Sequence, residues 1–329
     1  MKIVRVDELK GGELLGRSIY TPEGYSLLKR GVSLEKKHID SIKRFSISHV
    51  AVFESEDERE IYEKSGDLLE NPFLNKVREI YTGLRKNLSV FRKASFGIVS
   101  WEDSELILKR FDKAVQWERS KIAFFIELGR KITLALLREI FKGERKLISL
   151  GSFSYEDGGM LWEHWLNVAV LSMFTAFSLG YKVKRIWDIG TAALFHDIGK
   201  LFLSVEDFFL NSFLSKGEID FTIAMHPLLG YGLLRNMRNL AISISHAVYQ
   251  HHESFDGSGY PQGLERGEII GQARIIGLCN YFDALLSGRL GFLPTVEEAV
   301  SRLEKLSEKL FDPKILDVFI NDVIRKRML

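Results

Sequence analysis

Residues 194 to 202 read LFHDIGKLF, which puts His196 beside Asp197 inside an apolar run, with Lys200 four residues after the histidine. A helix with a core face and a few outward polar residues would account for one such pair. The rest of the chain asks for more. Histidine occurs only 8 times, at positions 38, 49, 164, 196, 226, 246, 251 and 252, and six of these fall between 164 and 252. His226 opens HPLLGYG, and His251 and His252 open HHESFDGSGYPQG. Imidazole is the commonest protein ligand for transition metals. A carboxylate next to such a ligand has two oxygens and can bridge two ions, and their charge offsets the cost of burying the acid. Neighbouring residues on a helix point about 100° apart, so His251 and His252 are expected to serve two adjacent ions rather than one. Five imidazoles and a carboxylate without a thiolate cluster suit iron or manganese better than structural zinc. Paired ions of this kind hydrolyse phosphate esters.

Composition limits the alternatives. The 329 residues are 46% hydrophobic and include 23 Phe, enough to bury a sizeable core in one large domain with a small one, or in two medium ones. The net charge of +2, from 46 basic and 44 acidic residues, lacks the basic excess of a protein that binds nucleic acid polymers. Cys279 is the sole cysteine, which excludes an internal disulfide framework and a multi-cysteine zinc site and fits a reducing cytoplasm. The opening MKIVRVDELKGGE has no apolar signal-peptide core. The longest uncharged run, WLNVAVLSMFTAFSLGY at 165–181, is short for a bilayer and carries Asn, Ser and Thr, so it is expected to be a buried core helix and the protein to be free of membrane spans.

Patterning divides the chain into three sections. Residues 1–56 mix alternating segments (KIVRV, SHVAVF) with turn residues and one helical stretch, SLEKKHIDSIKRF, a small β-rich module with an α+β composition. Residues 57–148 carry long amphipathic segments, NKVREIYTGLRKNLSVF and the run from Asp103 to Phe141, with apolar residues at spacings of three and four. Residues 149–329 read as helices joined by short loops, one of them DGSGYPQG. The fold class expected is mainly α, with the small mixed module in front.

HDIGK, HPLLG and HHESFDGSGYPQG, in this order and spacing, resemble the HD-GYP domain, a branch of the HD metal-dependent phosphohydrolases that degrades cyclic di-GMP. The likeness runs from about residue 150 to the C-terminus and takes in ARIIGLCNYFDALLSGR and FDPKILDVF. Residues 1–56 are more distantly similar to the small domain often found ahead of HD-GYP domains. The resemblance implies two divalent ions, iron or manganese, held by His164, His196, Asp197, His226, His251 and His252, with Asn280 at the position of a last ligand. It implies that Lys200 contacts a substrate phosphate and Arg289 lies near the same pocket. Gly257 and Gly259, by allowing positive φ, and Pro261, by stiffening the loop, would hold Tyr260 at the mouth of the site. Hydrolysis of cyclic di-GMP to pGpG, or onward to GMP, by a metal-bridging hydroxide with catalytic parts for Asp197 and Lys200 is the activity implied; the first 148 residues would then be regulatory or dimerising.

Three departures keep other readings open. The family has an aspartate where this chain has Asn280, and a neutral carbonyl oxygen is the weaker ligand for a hard cation; Asp283 follows one turn later. Members with three metals carry a glutamate at the position of Met160, so at most two ions are expected, and the neighbouring Glu163 points elsewhere on the helix. The family's RPYR reads RLGF from Arg289 to Phe292. A catalytically impaired module that binds cyclic di-GMP or a protein, and a phosphohydrolase for another cyclic dinucleotide or nucleotide, are therefore the alternatives.

Overall fold

The structure is a computed structural model that describes residues 2–16, 19–20, 26–28, 31–44, 49–53, 104–116, 119–141, 159–203, 221–287, 290 and 294–327. The amphipathic stretch at 75–91, Arg289 and most of RLGF lie outside them.

The N-terminal module has its own small core. Strand β1 (Lys2–Arg5) pairs antiparallel with β4 (His49–Val52), Ile3 opposite Ala51. A second two-stranded sheet joins β2 (Ile19–Tyr20) to β3 (Ser26–Leu28), and helix α1 (Lys36–Arg44) lies between β3 and β4 in the chain. Ile39 and Ile42, three apart on α1, meet Val4, Val6, Leu15, Leu34, Val50 and Val52. The alternation of apolar and polar residues in KIVRV and the three-residue spacing on α1 thus produce the mixed module expected.

Everything from Ser104 onward among the described residues shares one core. Helix α2 (Ser104–Val115) and the long α3 (Arg119–Phe141) bury Ile107, Phe111, Ile122, Phe125 and Ile132 at helical spacings. They share this core with α4 (Gly159–Ser178), α5 (Val183–Leu194), α6 (His226–Leu234), α7 (Ile242–Gln250), α8 (Gly271–Leu286), α9 (Val296–Lys305) and α10 (Pro313–Val318), the last continuing through a π-helical turn, Phe319–Ile324. Helix α4 is apolar around its circumference and is buried accordingly: Trp165, Val168, Ala169, Leu171, Met173 and Ala176 are all inaccessible. It is the core helix expected of the 165–181 run. Among the described residues no helix is long and apolar enough to cross a membrane.

Two features of the quoted motifs are architectural. In FDPKILDVF, Asp312 caps α10 by accepting from Lys314 N, Pro313 takes the first helical position, and Asp312 also receives Arg274. Between α3 and α5, Thr133 Oγ1 lies 3.1 Å from Thr191 Oγ1 and accepts from Trp187 Nε1 at 3.0 Å, pairing buried polar groups that would otherwise cost stability.

Candidate metal centre

Four helices deliver the histidines to one place. The segment LFHDIGKLF is not the continuous helix its spacing suggests. Helix α5 ends at Leu194, His196 and Asp197 occupy a tight turn, and a 3-10 turn runs from Ile198 to Phe202. The break has a cause in Gly199. A β-carbon there would stand 1.9 Å from the carbonyl oxygen of His226 and 2.8 Å from Gly230 N. The glycines of HDIGK and HPLLG therefore let two backbones touch, and this contact sets His226 against Asp197.

Asp197 is fully buried at the centre. On one side its Oδ1 lies 3.1 Å from His226 Nε2 and 3.7 Å from His251 Nε2. On the other its Oδ2 lies 3.5 Å from His196 Nε2, 3.7 Å from His164 Nε2 and 2.8 Å from Lys200 Nζ. Two groups of donor atoms result, Asp197 with His226, His251 and His252, and Asp197 with His164 and His196. His251 and His252 belong to the same group, contrary to the expectation drawn from helical geometry. Helix α7 stops at Gln250, and the pair lies in the turn just beyond it with the two rings 4.2 Å apart and 47° between their planes.

The protonation of the rings can be reasoned from their outer partners. His196 Nδ1 is 2.7 Å from Ala193 O, His226 Nδ1 2.6 Å from Ile223 O, and His251 Nδ1 2.6 Å from Val248 O. A carbonyl oxygen only accepts, so each Nδ1 carries the proton and each Nε2 presents a lone pair inward. His164 reaches the same state by another route, with Nδ1 donating to Asp283 Oδ2 at 2.6 Å. Two lone pairs then face each other at 3.2 Å between His164 and His196, and at 3.3 Å between His226 and His251. Protonating a ring would relieve this, but burial drives His196 and His252 well below the ordinary histidine range and lowers His226 to about 4. Burial also opposes ionisation of Asp197, yet the Lys200 ammonium beside it holds the carboxyl well below the usual carboxylate range. Neither Asp197 oxygen receives a well-formed hydrogen bond among the described residues. A buried carboxylate in that condition, ringed by neutral imidazole lone pairs, fits divalent cations.

The loop after His252 has a different part from the one expected. Tyr260 is 1% exposed and stacks on the His252 ring at 4.7 Å and 13°, so it supports a site imidazole from behind and does not stand at the mouth. Gly257 has the positive φ expected, +83°, whereas Gly259 serves close approach: a β-carbon would sit 2.2 Å from Ser254 N. Pro261 is buried beside Tyr260. What holds the loop is Glu253, whose carboxylate accepts from the backbone of Gln262, Gly263 and Leu264 at 2.7 to 3.0 Å. Glu253 was legible only as part of a motif, since its partners lie nine to eleven residues on.

Asn280 is buried on α8, one turn before Asp283. The Met160 and Glu163 side chains lie outside the described set, as does Arg289. Cys279 is buried against α4 and its thiol is pushed up to about 12 by burial, which leaves it inert.

Residues 169–315, which carry most of this histidine-aspartate centre and the buried lysine beside it, match the model of the HD domain family. The match covers somewhat less than half of the chain and agrees with the resemblance carried by HDIGK, HPLLG and HHESFDGSGYPQG. Among curated proteins the chain is similar to the cyclic di-GMP phosphodiesterase response regulator RpfG of Xanthomonas campestris, 33% identical over 193 residues, covering 57% of this chain and 50% of the relative. It is 31% identical over 171 residues to a cyclic di-GMP phosphodiesterase of Thermotoga maritima, covering 50% of this chain and 46% of the relative. It is also 31% identical over 159 residues to 3'3'-cGAMP-specific phosphodiesterase 3 of Vibrio cholerae, covering 46% of this chain and 33% of the relative. The chain thus spans half or less of the length of these relatives.

Proposed function

We propose that the HD domain is a divalent-metal-dependent phosphodiesterase that hydrolyses cyclic di-GMP to pGpG or onward to GMP. The observation that carries this reading is the division of donors around Asp197, with neutral imidazoles on each side and one carboxylate oxygen toward each group. His164, His196, Asp197, His226, His251 and His252, with Asn280 as a carbonyl donor, would hold iron or manganese ions, which when bound would supply an activated water and neutralise phosphate charge. The protein's own parts are distinct. Asp197 is positioned to face both groups at once, and the Nε2 lone pairs are fixed before any ligand arrives, which avoids reorganisation. Lys200, paired with Asp197 at 2.8 Å, adds a positive charge at the edge of the centre where a phosphodiester oxygen would lie. The relatives named for cyclic di-GMP hydrolysis support the substrate. Residues 1–56 and 57–148 act as regulatory and dimerising segments in this reading, inside the cytoplasm.

Two observations favour second readings. Asn280 in place of a carboxylate favours a receptor that binds cyclic di-GMP without turning it over, and the relative named for cGAMP favours a different cyclic dinucleotide. One experiment separates them: metal content of protein purified without oxygen, then turnover of cyclic di-GMP and 3'3'-cGAMP on the same sample, with Asp197→Ala as control. Two ions per chain and pGpG formation, both lost in Asp197→Ala, are expected. Nucleotide bound but unchanged after iron or manganese is supplied would leave the receptor reading, and faster turnover of cGAMP would change the substrate.

A further inference from the structure

His164 is the exception among the four histidines whose outer nitrogen is held by a contact of 2.6 to 2.7 Å. The other three donate Nδ1 to the carbonyl three residues earlier, a contact the backbone supplies whatever the neighbouring side chains are. His164 donates instead to a side chain from another helix. Asp283 Oδ2 accepts from His164 Nδ1 at 2.6 Å, and Asp283 Oδ1 accepts from Asn167 Nδ2 at 2.8 Å. The aspartate is 3% exposed, so this carboxylate is held in place by its two donors and the surrounding core.

We infer that Asp283 is a positioning residue that sets the metal affinity of the His164–His196 group, and that it does so with its charge. The inference rests on the metal-dependent reading above. An anionic acceptor on the outer nitrogen fixes the tautomer and raises the basicity of the inner one, and losing such a partner typically lowers metal affinity 10–100-fold. The need for it here follows from the sequence of α8. Position 280, one turn earlier on the same helix, offers a neutral amide. The His164–His196 group has one carboxylate of its own, Asp197, and that oxygen is already shared with Lys200. Asp283 supplies this group with negative charge through the ring of His164.

Charge can be separated from hydrogen bonding because Asn167 is the second donor. In Asp283→Asn the side chain can turn its oxygen toward only one of its two partners. In the exchanged pair, Asn167→Asp with Asp283→Asn, the amide oxygen accepts from His164 and the amide nitrogen donates to the new carboxylate, so both contacts are kept while the group on His164 is neutral. Mn(II) affinity is measured by competition titration on wild type, the single variant and the exchanged pair. Alongside, the ring-nitrogen NMR shifts of His164 are read in the metal-free proteins. A 10–100-fold weaker Mn(II) site in both variants, with the exchanged pair keeping the Nδ1–H tautomer, is the expected result. Wild-type affinity in the exchanged pair, or in Asp283→Asn, would overturn the inference and leave Asp283 a structural contact. A wild-type protein that takes up no Mn(II) would instead sink the metal reading itself, and this inference with it.

Discussion

The two sides of Asp197 are assembled on different principles. On the Oδ1 side, His226 and His251 take their orientation from carbonyls three residues back in their own segments, and His252 is backed by Tyr260 from a loop that begins at its own position. On the Oδ2 side, His164 depends on a carboxylate 119 residues away, and the buried ammonium of Lys200 competes for the same oxygen. Local geometry makes the first side robust to changes in distant side chains. The second is adjustable, since a single substitution on α8 can alter it without touching a ligand.

The largest expected effect breaks the contact on which the first side rests. Gly199→Ala forces a β-carbon to within 1.9 Å of the His226 carbonyl, a backbone clash that no rotamer relieves. A loss of about 3 kcal/mol or more in urea-unfolding stability is expected, with metal uptake lost at the Oδ1 group before the other. Wild-type stability in this variant would mean that the two turns are farther apart than described.

A pH titration of the metal-free protein probes the same side. The folded pKa of His226 is about 4, below the ordinary 6.5 of an unfolded chain. The unfolded state therefore binds the extra proton between those values, so stability is fully present above about pH 6.5 and falls as the pH drops toward 4. The contribution is on the order of 3 kcal/mol. Denaturation midpoints in His226→Gln and wild type should converge as the pH is lowered; parallel curves would show that the ring titrates normally.

The smallest effect is on the second side. Asn280→Asp is expected to tighten Mn(II) binding by about tenfold, roughly 1.4 kcal/mol, by adding a carboxylate where an amide now stands. An unchanged affinity would place position 280 out of reach of the ions.

This division also governs what could be read from the sequence. His196, Asp197, Lys200, His226, His251 and His252 each sit in a short motif, so residue type and spacing singled them out, whereas the approach of Gly199 to the His226 carbonyl that sets His226 against Asp197 was not visible there. His164 has no such motif and was picked out by its place in the cluster of histidines, with the resemblance then implying its role as a ligand. Asp283 was visible only as a neighbour of Asn280, because its contact to His164 depends on how α4 and α8 register in three dimensions. Tyr260 was misplaced for a related reason: glycines and a proline announce a tight loop, but not which way its aromatic faces. The helical fold was legible because apolar spacing is a local property, whereas the break at His196 needed the approach of the His226 carbonyl.

Gly129 on α3 leaves a hollow filled by the ring of Phe195, the residue immediately before His196, where a β-carbon would stand 2.2 Å from that ring. Phe125, one turn earlier, meets the same ring edge-on at 5.6 Å. The family match begins at residue 169, yet the backing of its first motif is contributed by a helix that ends at Phe141. As a module to be transplanted or recombined, the portion that matches the HD domain consequently has to carry α3 with it, and any domain joined at a seam after Phe141 would arrive without the helix that seats Phe195.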